Sequence, residues 1–343
     1  MVIAIIIALL IIIFYLSYKL FSINNTIDEL IPPTNPRAEL LRQLNNDDIL
    51  KPRTFDQYRK EVDGLIERVC DIGDFGKNTK LADACKKGLT DGKRVRAIIL
   101  MEINRATLLN TKIKPIDVAD LALMIEYLHN ASLIVDDLPE FDNDKIRRGK
   151  PSIHAEFGPA IAQMAALCLI AGAFQNICRQ IDWMRTNCHD IKNIDVIATK
   201  LCGEISRALG TAACGQYMDI SENPYNEFGD DAIAEMTYMK TATFFEIATV
   251  TGWLAGNGDF DKLSTLRLLG CLIGTAFQIA DDIGDFDRDK QADRWNFAIK
   301  YGREVAFSEL YTNLSDAATI LNQLQLWTPL WEEIFEKILG MTK

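Results

Sequence analysis

Residues 116–137, "IDVADLALMIEYLHNASLIVDD", place Val118, Leu121, Ala122, Ile125 and Leu128 at the i, i+3, i+4, i+7 recurrence of a helix. Pro115 stands where such a helix can begin. Pro139 forces Leu138 out of helical space, so the helix must end near the adjacent carboxylates Asp136 and Asp137. A second run, "LSTLRLLGCLIGTAFQIADDIGDFD" at 263–287, repeats the design with Leu266, Leu269, Ile273 and Ala276 as its stripe and Asp281, Asp282 and Asp285 near its end. Working outward, helical periodicity predicts further helices near 57–70, 94–108, 158–181, 196–219, 231–255, 303–324 and 330–339, while hairpin signals are almost absent. Internal repeats are absent too. The expected fold class is all-α, with one folded domain over 53–343.

Residues 1–21, "MVIAIIIALLIIIFYLSYKLF", differ from the rest. Met1 to Leu16 holds no charged side chain, and a helix through Tyr18 would be about 27 Å long, close to the hydrocarbon thickness of a bilayer. A cleaved signal would want a basic start and a small-residue cleavage site, and neither is present. The segment reads as one transmembrane anchor helix, with Tyr15, Tyr18 and Lys19 at the interface. Lys19 and Arg37 follow the span and no basic residue precedes it, which places the remainder in the cytosol, behind a single pass. Residues 22–52, with Pro32, Pro33 and Pro36, read as a tether interrupted by a short helix at Arg37–Leu44.

The 343 residues are 48% hydrophobic, enough for a sizeable core, and the net charge of −11 excludes a nucleic-acid binder, which needs a basic face. The eight cysteines contain no CxxC pair; they read as reduced, mostly buried thiols in a cytosol-facing protein. His189 beside Cys188 reads as a surface residue.

Why two apolar helices should end in carboxylates is the chemical question. Gln278, Asp281, Asp282 and Asp285 fall on one helical face, where like charges repel. Carboxylates at a helix C-terminus also meet the negative end of the macrodipole, at about 0.3–1 kcal/mol each on a solvated surface. Two such clusters imply a compensating cation, and an all-oxygen donor set suits a hard ion such as Mg²⁺ bridging to phosphate. A calcium loop is excluded: in "DFDRDKQADRWN" from Asp285, Lys290 replaces the required Gly and Asn296 the required Glu. "GLTDGKR" at Gly88 matches a phosphate loop only loosely, since its spacing is one short. Lys93, Arg94 and Arg96 open one predicted helix, Arg147 and Arg148 follow the first acidic cluster, and Lys240-Thr241 lie within another helix. His129, seven residues before Asp136, sits two turns lower on nearly the same face. Each alone is more simply a structural residue; together they describe a cavity with two acidic walls and several cations for phosphoryl oxygens.

In that order, "GKRVR", "HNASLIVDDLPEFDNDKIRRGKPS", "GQYMDI", "KTA" and "GTAFQIADDIGD" resemble the trans-prenyl diphosphate synthases, over about 55–340. The anchor and "FQNICRQIDWM" look closer still to the membrane-anchored trans-prenyltransferases of large cytoplasmic DNA viruses, which would put the protein at the host endoplasmic reticulum. The resemblance implies an isoprenoid-synthase-type helical bundle around a central cavity, a homodimer, and condensation of isopentenyl diphosphate with allylic diphosphates using more than one Mg²⁺ per site. It further implies Asp136, Asp142 and Asp281 as metal ligands, with Asp137, Asp282 and Asp285 in support. Arg147, Lys240, Thr241 and Gln278 would then bind the allylic diphosphate, and Lys93, Arg96, His129 and Arg148 the isopentenyl diphosphate. Gln216 and Asp219 would orient the basic side chains. Ala131 and Ser132, about 7.5 and 6 Å below Asp136 along the axis, are small where relatives making farnesyl chains carry an aromatic floor, which favours a geranylgeranyl product. Farnesyl or longer products, and a non-catalytic partner subunit, are the rival expectations. Relatives carry lysines after the second acidic motif; here Lys290 and Arg294 are present in an ambiguous register.

Overall fold

Thr54 starts the first long helix by a reciprocal cap: its hydroxyl accepts from the Gln57 N–H, and its own N–H donates to Gln57 Oε1 at 2.9 Å. Gly73, at φ +85°, ends it in the left-handed conformation. The computed structural model describes residues 46–343 except 77, 221–228, 230, 293 and 295. Among these residues the long helices are α1 (Phe55–Ile72), α2 (Lys80–Leu89), α3 (Val95–Thr111), α4 (Ala119–Asp136), α5 (Pro159–Asn187), α6 (Ile194–Asp219), α7 (Thr243–Ala255), α8 (Leu263–Gly284), α9 (Arg303–Gln323) and α10 (Pro329–Gly340). The sequence 116–137 does end its helix at Asp136, as the prolines require.

Packing is hierarchical. α4 lies chiefly against α5, α7 against α3 and α8, and α8 also against α9. Every residue of α7 is buried, and α4 is buried nearly all round, with Leu123, Met124 and Tyr127 enclosed as fully as the predicted stripe. These are interior helices, which their apolar composition on all sides allows. The fold is therefore helical layers around the inner helices α4 and α7, with acidic residues at the C-terminal ends of α4 and of α8, which packs on α7.

Four local features differ from the sequence expectation. α2 has too few apolar residues for a clear periodicity, yet Thr79 caps it, accepting from the Ala82 N–H, and Ala84, Cys85 and Leu89 bury one face. Two short strands, Ile146–Arg147 and Lys150–Pro151, pair as an antiparallel hairpin. Its turn residues Arg148 and Gly149 both have positive φ, 54° and 74°, as a tight two-residue hairpin demands. Within the predicted helix 231–255, Tyr238–Ala242 form a π-helical turn. The eight cysteines are free thiols, but Cys178 and Cys214 are exposed and only Cys85 and Cys188 are buried, because the others lie on outward-facing helical positions.

The helical turn Asn46–Ile49 belongs to the same compact unit as the bundle, which spans Leu44–Lys343. Arg105 donates to the Leu50 carbonyl and Arg53 to those of Asp48 and Ile49. The anchor at 1–21 and the short helix at Arg37–Leu44 lie outside the described residues. Two described segments, Pro159–Asn187 and Phe260–Gly284, are long and apolar enough to cross a membrane by length and composition, but both are packed within the bundle.

Gly274 of α8 sets how closely that helix meets the π-turn, since a Cβ there would lie 2.5 Å from the Ala242 Cα. Gly274→Ala should destabilise the fold by a net amount on the order of 1 kcal/mol: overpacking of about 1–3 kcal/mol exceeds the helix-propensity gain of about 1 kcal/mol. Calorimetric unfolding of the variant beside wild type measures this as a lowered Tm.

Candidate active site

α4 delivers the first acidic group. Its last residue is Asp136, and Asp137 caps it with its N–H on the Leu133 carbonyl. The Asp142 N–H returns to the Asp136 carbonyl at 3.0 Å, folding the following loop back over the helix end. Asp137 is buried and bonded by Arg147. Arg147 also lies 3.7 Å from Asp144.

Lys240 meets this wall from the opposite side. Its ammonium lies 3.6 Å from Asp136 Oδ2 and 2.5 Å from Asp219 Oδ2, at the end of α6. Burial works against its charge, but Asp136 and Asp219 outweigh burial and hold its pKa above the ordinary lysine range. The π-turn presents it: a π-turn inserts an extra residue and widens the helix, a deformation common at functional sites. Two glycines make room. A Cβ on Gly215 of α6 would sit 2.5 Å from the Lys240 amide nitrogen, and Gly274 faces Ala242 on the other flank. The adjacent residue Thr241 donates its hydroxyl to Gln278 Oε1 at 2.9 Å on α8. Lys240 and Thr241 therefore join the two acidic helix ends.

The second group divides by role. Asp282 is buried and fully engaged: Oδ1 accepts from Gln278 Nε2 and Oδ2 from the Phe297 N–H, both at 2.8 Å. Burial prevails over those two donors and pushes its carboxyl up to about 7. Asp281 is half-buried and also raised, by burial and then by repulsion from Asp285, against the pull of Lys93. Asp285 caps α8 and holds Arg288 at 2.6 Å. Asp136 is pushed up to about 6, by burial foremost and with Asp142 adding repulsion, while Lys240 opposes both.

A basic chamber adjoins the acidic one. Arg96 packs its guanidinium over Phe245, 4.5 Å from the ring centre, and faces Phe277 at 5.7 Å, where Lys93 also points at 5.5 Å. Its Nη1 donates to His129 Nε2 at 3.3 Å. Arginine has only donors, so Nε2 is the acceptor and the imidazole proton sits on Nδ1. Burial and then Arg96 depress the His129 pKa well below its usual value, keeping the ring neutral. Arg148 donates to the Thr90 carbonyl at 2.7 Å and to Asn130 Oδ1 at 3.1 Å.

The structure thus brings the sequence-predicted residues into two adjoining groups. Asp136, Asp142, Asp219 and Lys240 form one, linked through Thr241 to Gln278 and Asp282 on α8. Lys93, Arg96, His129 and Arg148 form the other, with Asp281 drawn toward Lys93 beside Asp285, and Arg147 on Asp137. Gln216 lies on α6 one turn before the end, with both amide atoms buried and unbonded. Sequence reasoning missed Phe245 and Phe277, which look like ordinary core residues, and Asn296, which donates to the Asp282 carbonyl at 2.8 Å. It also missed the link from Arg294 to Asp144 at 2.9 Å, across 150 residues. Lys290 lies over the Phe286 ring instead. Ser132 is half-buried, with its hydroxyl on the His129 carbonyl at 2.8 Å, and Ala131 is buried.

Among the described residues, no three acidic, His or Cys side chains converge as a self-contained metal cage would require. The donor chemistry does fit a hard cation that completes its shell with water and a ligand's oxygens: Asp136, Asp142 and Asp281 offer only oxygen donors, and burial raises the pKa of each, so each would gain from a neighbouring cation.

A family model for polyprenyl synthetases matches residues 78–296. A trans-prenyltransferase of African swine fever virus is 37% identical over 293 residues, covering 85% of each chain. A geranylgeranyl diphosphate synthase of Pantoea ananas is 29% identical over 234 residues, covering 67% of this chain and 72% of its own. Among solved structures, a geranyltransferase from Legionella pneumophila superposes with a TM-score of 0.69 at 22% identity, covering 83% of this chain and 95% of its own.

The raised carboxyls set a pH dependence. With folded pKa values of about 6 for Asp136 and about 7 for Asp282, the folded state binds protons more tightly than the unfolded chain, whose aspartates titrate near 4. Stability in a metal chelator should therefore fall as pH rises from about 4 through about 7. Thermal unfolding in chelator at pH 5.5 and pH 8 should give the lower Tm at pH 8, and Asp282→Asn should flatten the difference.

Proposed function

The chain belongs to the polyprenyl synthetase family and is a trans-prenyltransferase; we propose that it extends allylic diphosphates with isopentenyl diphosphate, head to tail, as far as all-trans geranylgeranyl diphosphate. The observation that carries this reading is the Lys240-Thr241 pair, which touches Asp136 through one residue and Gln278 through the next. It draws both acidic helix ends around one point, beside a separate basic chamber. One diphosphate can then be held where its bond must break, and the other where it can attack.

In this reading Arg147, Lys240, Thr241 and Gln278 hold the allylic diphosphate. Lys93, Arg96 and Arg148 hold the isopentenyl diphosphate, with neutral His129 donating from Nδ1 and fixing Arg96. Mg²⁺ ions, more than one per site and held by Asp136, Asp142 and Asp281, would stabilise the negative charge that develops as the allylic carbon–oxygen bond breaks. Asp137 and Asp282 support the walls through Arg147 and Gln278, and Asp285 through Arg288. Asp219 holds the Lys240 ammonium against the leaving diphosphate, where preorganised charge is worth most in a water-poor site. The apolar rings of Phe244, Phe245 and Phe277 exclude water from the carbocation. The double bond of isopentenyl diphosphate attacks the cation, and the diphosphate kept in place by Lys240 accepts the proton that is lost.

The geranylgeranyl length rests on small residues below the acidic end. Ser132 shares the Asp136 face, four residues earlier, and is half-buried, so α4 places no bulky side chain at that depth on that face. Below Ser132 on that face stands His129, and Tyr127, nine residues before Asp136 and on the opposite side of α4, packs on Phe75 with ring centres 5.2 Å apart. The Pantoea relative carries the geranylgeranyl name as well. The apolar run 1–21, with Lys19 and Arg37 behind it, supports a single-pass anchor in an intracellular membrane, the host endoplasmic reticulum for a viral protein, with the catalytic domain in the cytosol. A homodimer completes the proposal.

Purified protein given labelled isopentenyl diphosphate, an allylic primer and Mg²⁺ should form geranylgeranyl diphosphate. Absence of any condensation would sink the reading in favour of a non-catalytic subunit. Asp136→Ala or Asp281→Ala should lower turnover by at least about a hundredfold with Tm nearly unchanged, since a repelling carboxylate has been removed from the metal-free fold.

Ser132→Phe should shift the main product to farnesyl diphosphate, because pushing a ring aside in a packed core costs about 1–3 kcal/mol. Ala131→Tyr tests the neighbouring wall in the same chromatographic assay. Unchanged products from both folded, active variants would place the floor elsewhere.

A further inference from the structure

On the side of the π-turn away from the acidic groups lies a second charged network that the proposed chemistry does not use. Glu246, one turn after the π-turn on α7, is buried and accepts from Arg207 Nη2 of α6 at 2.7 Å. Glu204, one turn before Arg207, lies 3.4 Å from it and accepts two bonds from Arg267 of α8, at 2.7 and 2.9 Å. The Glu246 charge also reaches Tyr238, the first residue of the π-turn: burial and then that negative charge raise the tyrosine's pKa. A chain of groups thus runs from α8 through α6 and α7 to the first residue of the turn that presents Lys240.

Only the Glu246 side of this pair is buried, since Arg207 is 38% exposed and Glu246 4%, and such an ion pair is a weak source of stability. Its desolvation offsets most of the attraction, and apolar residues of similar volume often replace such a pair at no loss. What such a pair does supply is a fixed direction. The π-turn needs that. Relaxing it to an ordinary α-helix removes its extra residue and shifts the helical phase across 238–242 by up to about 100°, which would turn Lys240 away from Asp136 and Asp219 and part Thr241 from Gln278. The glycines at 215 and 274 make the widened turn possible, but a gap does not choose which residue fills it.

We propose that Glu246 and Arg207 are positioning residues: by tying α7 to α6 one turn past the π-turn they lock that turn in register, and so aim Lys240 and Thr241 at the allylic diphosphate. The inference rests on the functional reading above, in which those two residues hold that substrate. Neither Glu246 nor Arg207 touches substrate.

The decisive variant is Arg207→Met/Glu246→Leu, which replaces the pair by apolar groups of similar volume. A merely structural pair predicts unchanged or raised Tm with unchanged kinetics. Positioning predicts an intact Tm with kcat/KM for the allylic diphosphate lowered about 10- to 100-fold, the scale of a displaced binding group. The KM for isopentenyl diphosphate should change less than the allylic kcat/KM, because Lys93, Arg96, His129 and Arg148 stand on other elements and meet α7 only through the rings of Phe244 and Phe245. Tyr238→Phe, which removes one hydroxyl, should show the same split at smaller size, and it decides the question if the double variant does not fold. Both substrates affected alike, or kcat/KM within about threefold of wild type in folded protein, would overturn the inference. Lys240→Met is the control for the reading beneath it: if it leaves the allylic KM and kcat unchanged, the role assigned to Lys240 fails. If it impairs them while the Glu246 and Tyr238 variants do not, the positioning inference alone fails.

Discussion

One ammonium group, that of Lys240, stands among carboxylates from three different parts of the chain. Asp136 ends α4, Asp219 ends α6, and Asp142 belongs to the loop that folds back over α4. Without a cation these groups could not share a desolvated space, since like charges in low dielectric repel strongly. The remaining geometry depends on bringing that cation there. Lys240 comes from a helix that must widen to reach, α6 and α8 must offer glycines where it widens, and Thr241 then falls beside Gln278 on the second acidic helix.

The basic residues show how a site differs from a structural ion pair. Arg94 and Arg96 are two residues apart at the start of α3, and both are buried. Arg94 is saturated, with Asp63 and Glu126 at 2.8 Å and the Leu89 carbonyl at 2.6 Å. Burial works against its charge, yet those partners hold its pKa above the ordinary value. Arg96 has a neutral imidazole and aromatic faces instead, its Nε is unbonded, and burial lowers its pKa to about 10. A buried guanidinium without a carboxylate partner gains most from an arriving anion. The first arginine holds the loop in shape; the second has no carboxylate hydrogen-bonded to it among the described residues.

The same division runs through the acidic residues. Asp137 and Asp282 are the most enclosed of their clusters, and their oxygens are committed to Arg147, Gln278 and the Phe297 N–H. Asp136 instead stands 3.6 Å from the Lys240 ammonium, Asp281 is half-buried and Asp142 exposed. Adjacent aspartates at a helix end thus do different work, because successive residues differ by about 100° around the axis.

The sequence by itself determined a great deal. The period of its apolar residues made the chain helical, Pro139 ended α4 at Asp136, and paired carboxylates with trailing arginines identified the family before any coordinate. These are local signals, written in residue type and spacing. What only the tertiary structure decided are matters of direction between distant segments. The π-turn at Tyr238–Ala242 leaves no local trace, because the same residues would make a good α-helix; its cause is the room at Gly215 and Gly274, 25 residues before and 34 residues after Lys240. Arg96 and Arg94 look equivalent in "GKRVR", and only Asp63 and Glu126, supplied by α1 and α4, separate them. Phe245 and Phe277 read as core until Arg96 is laid over them. A helix is specified by its own residues, but the face it turns to a site is set by what packs on its other sides.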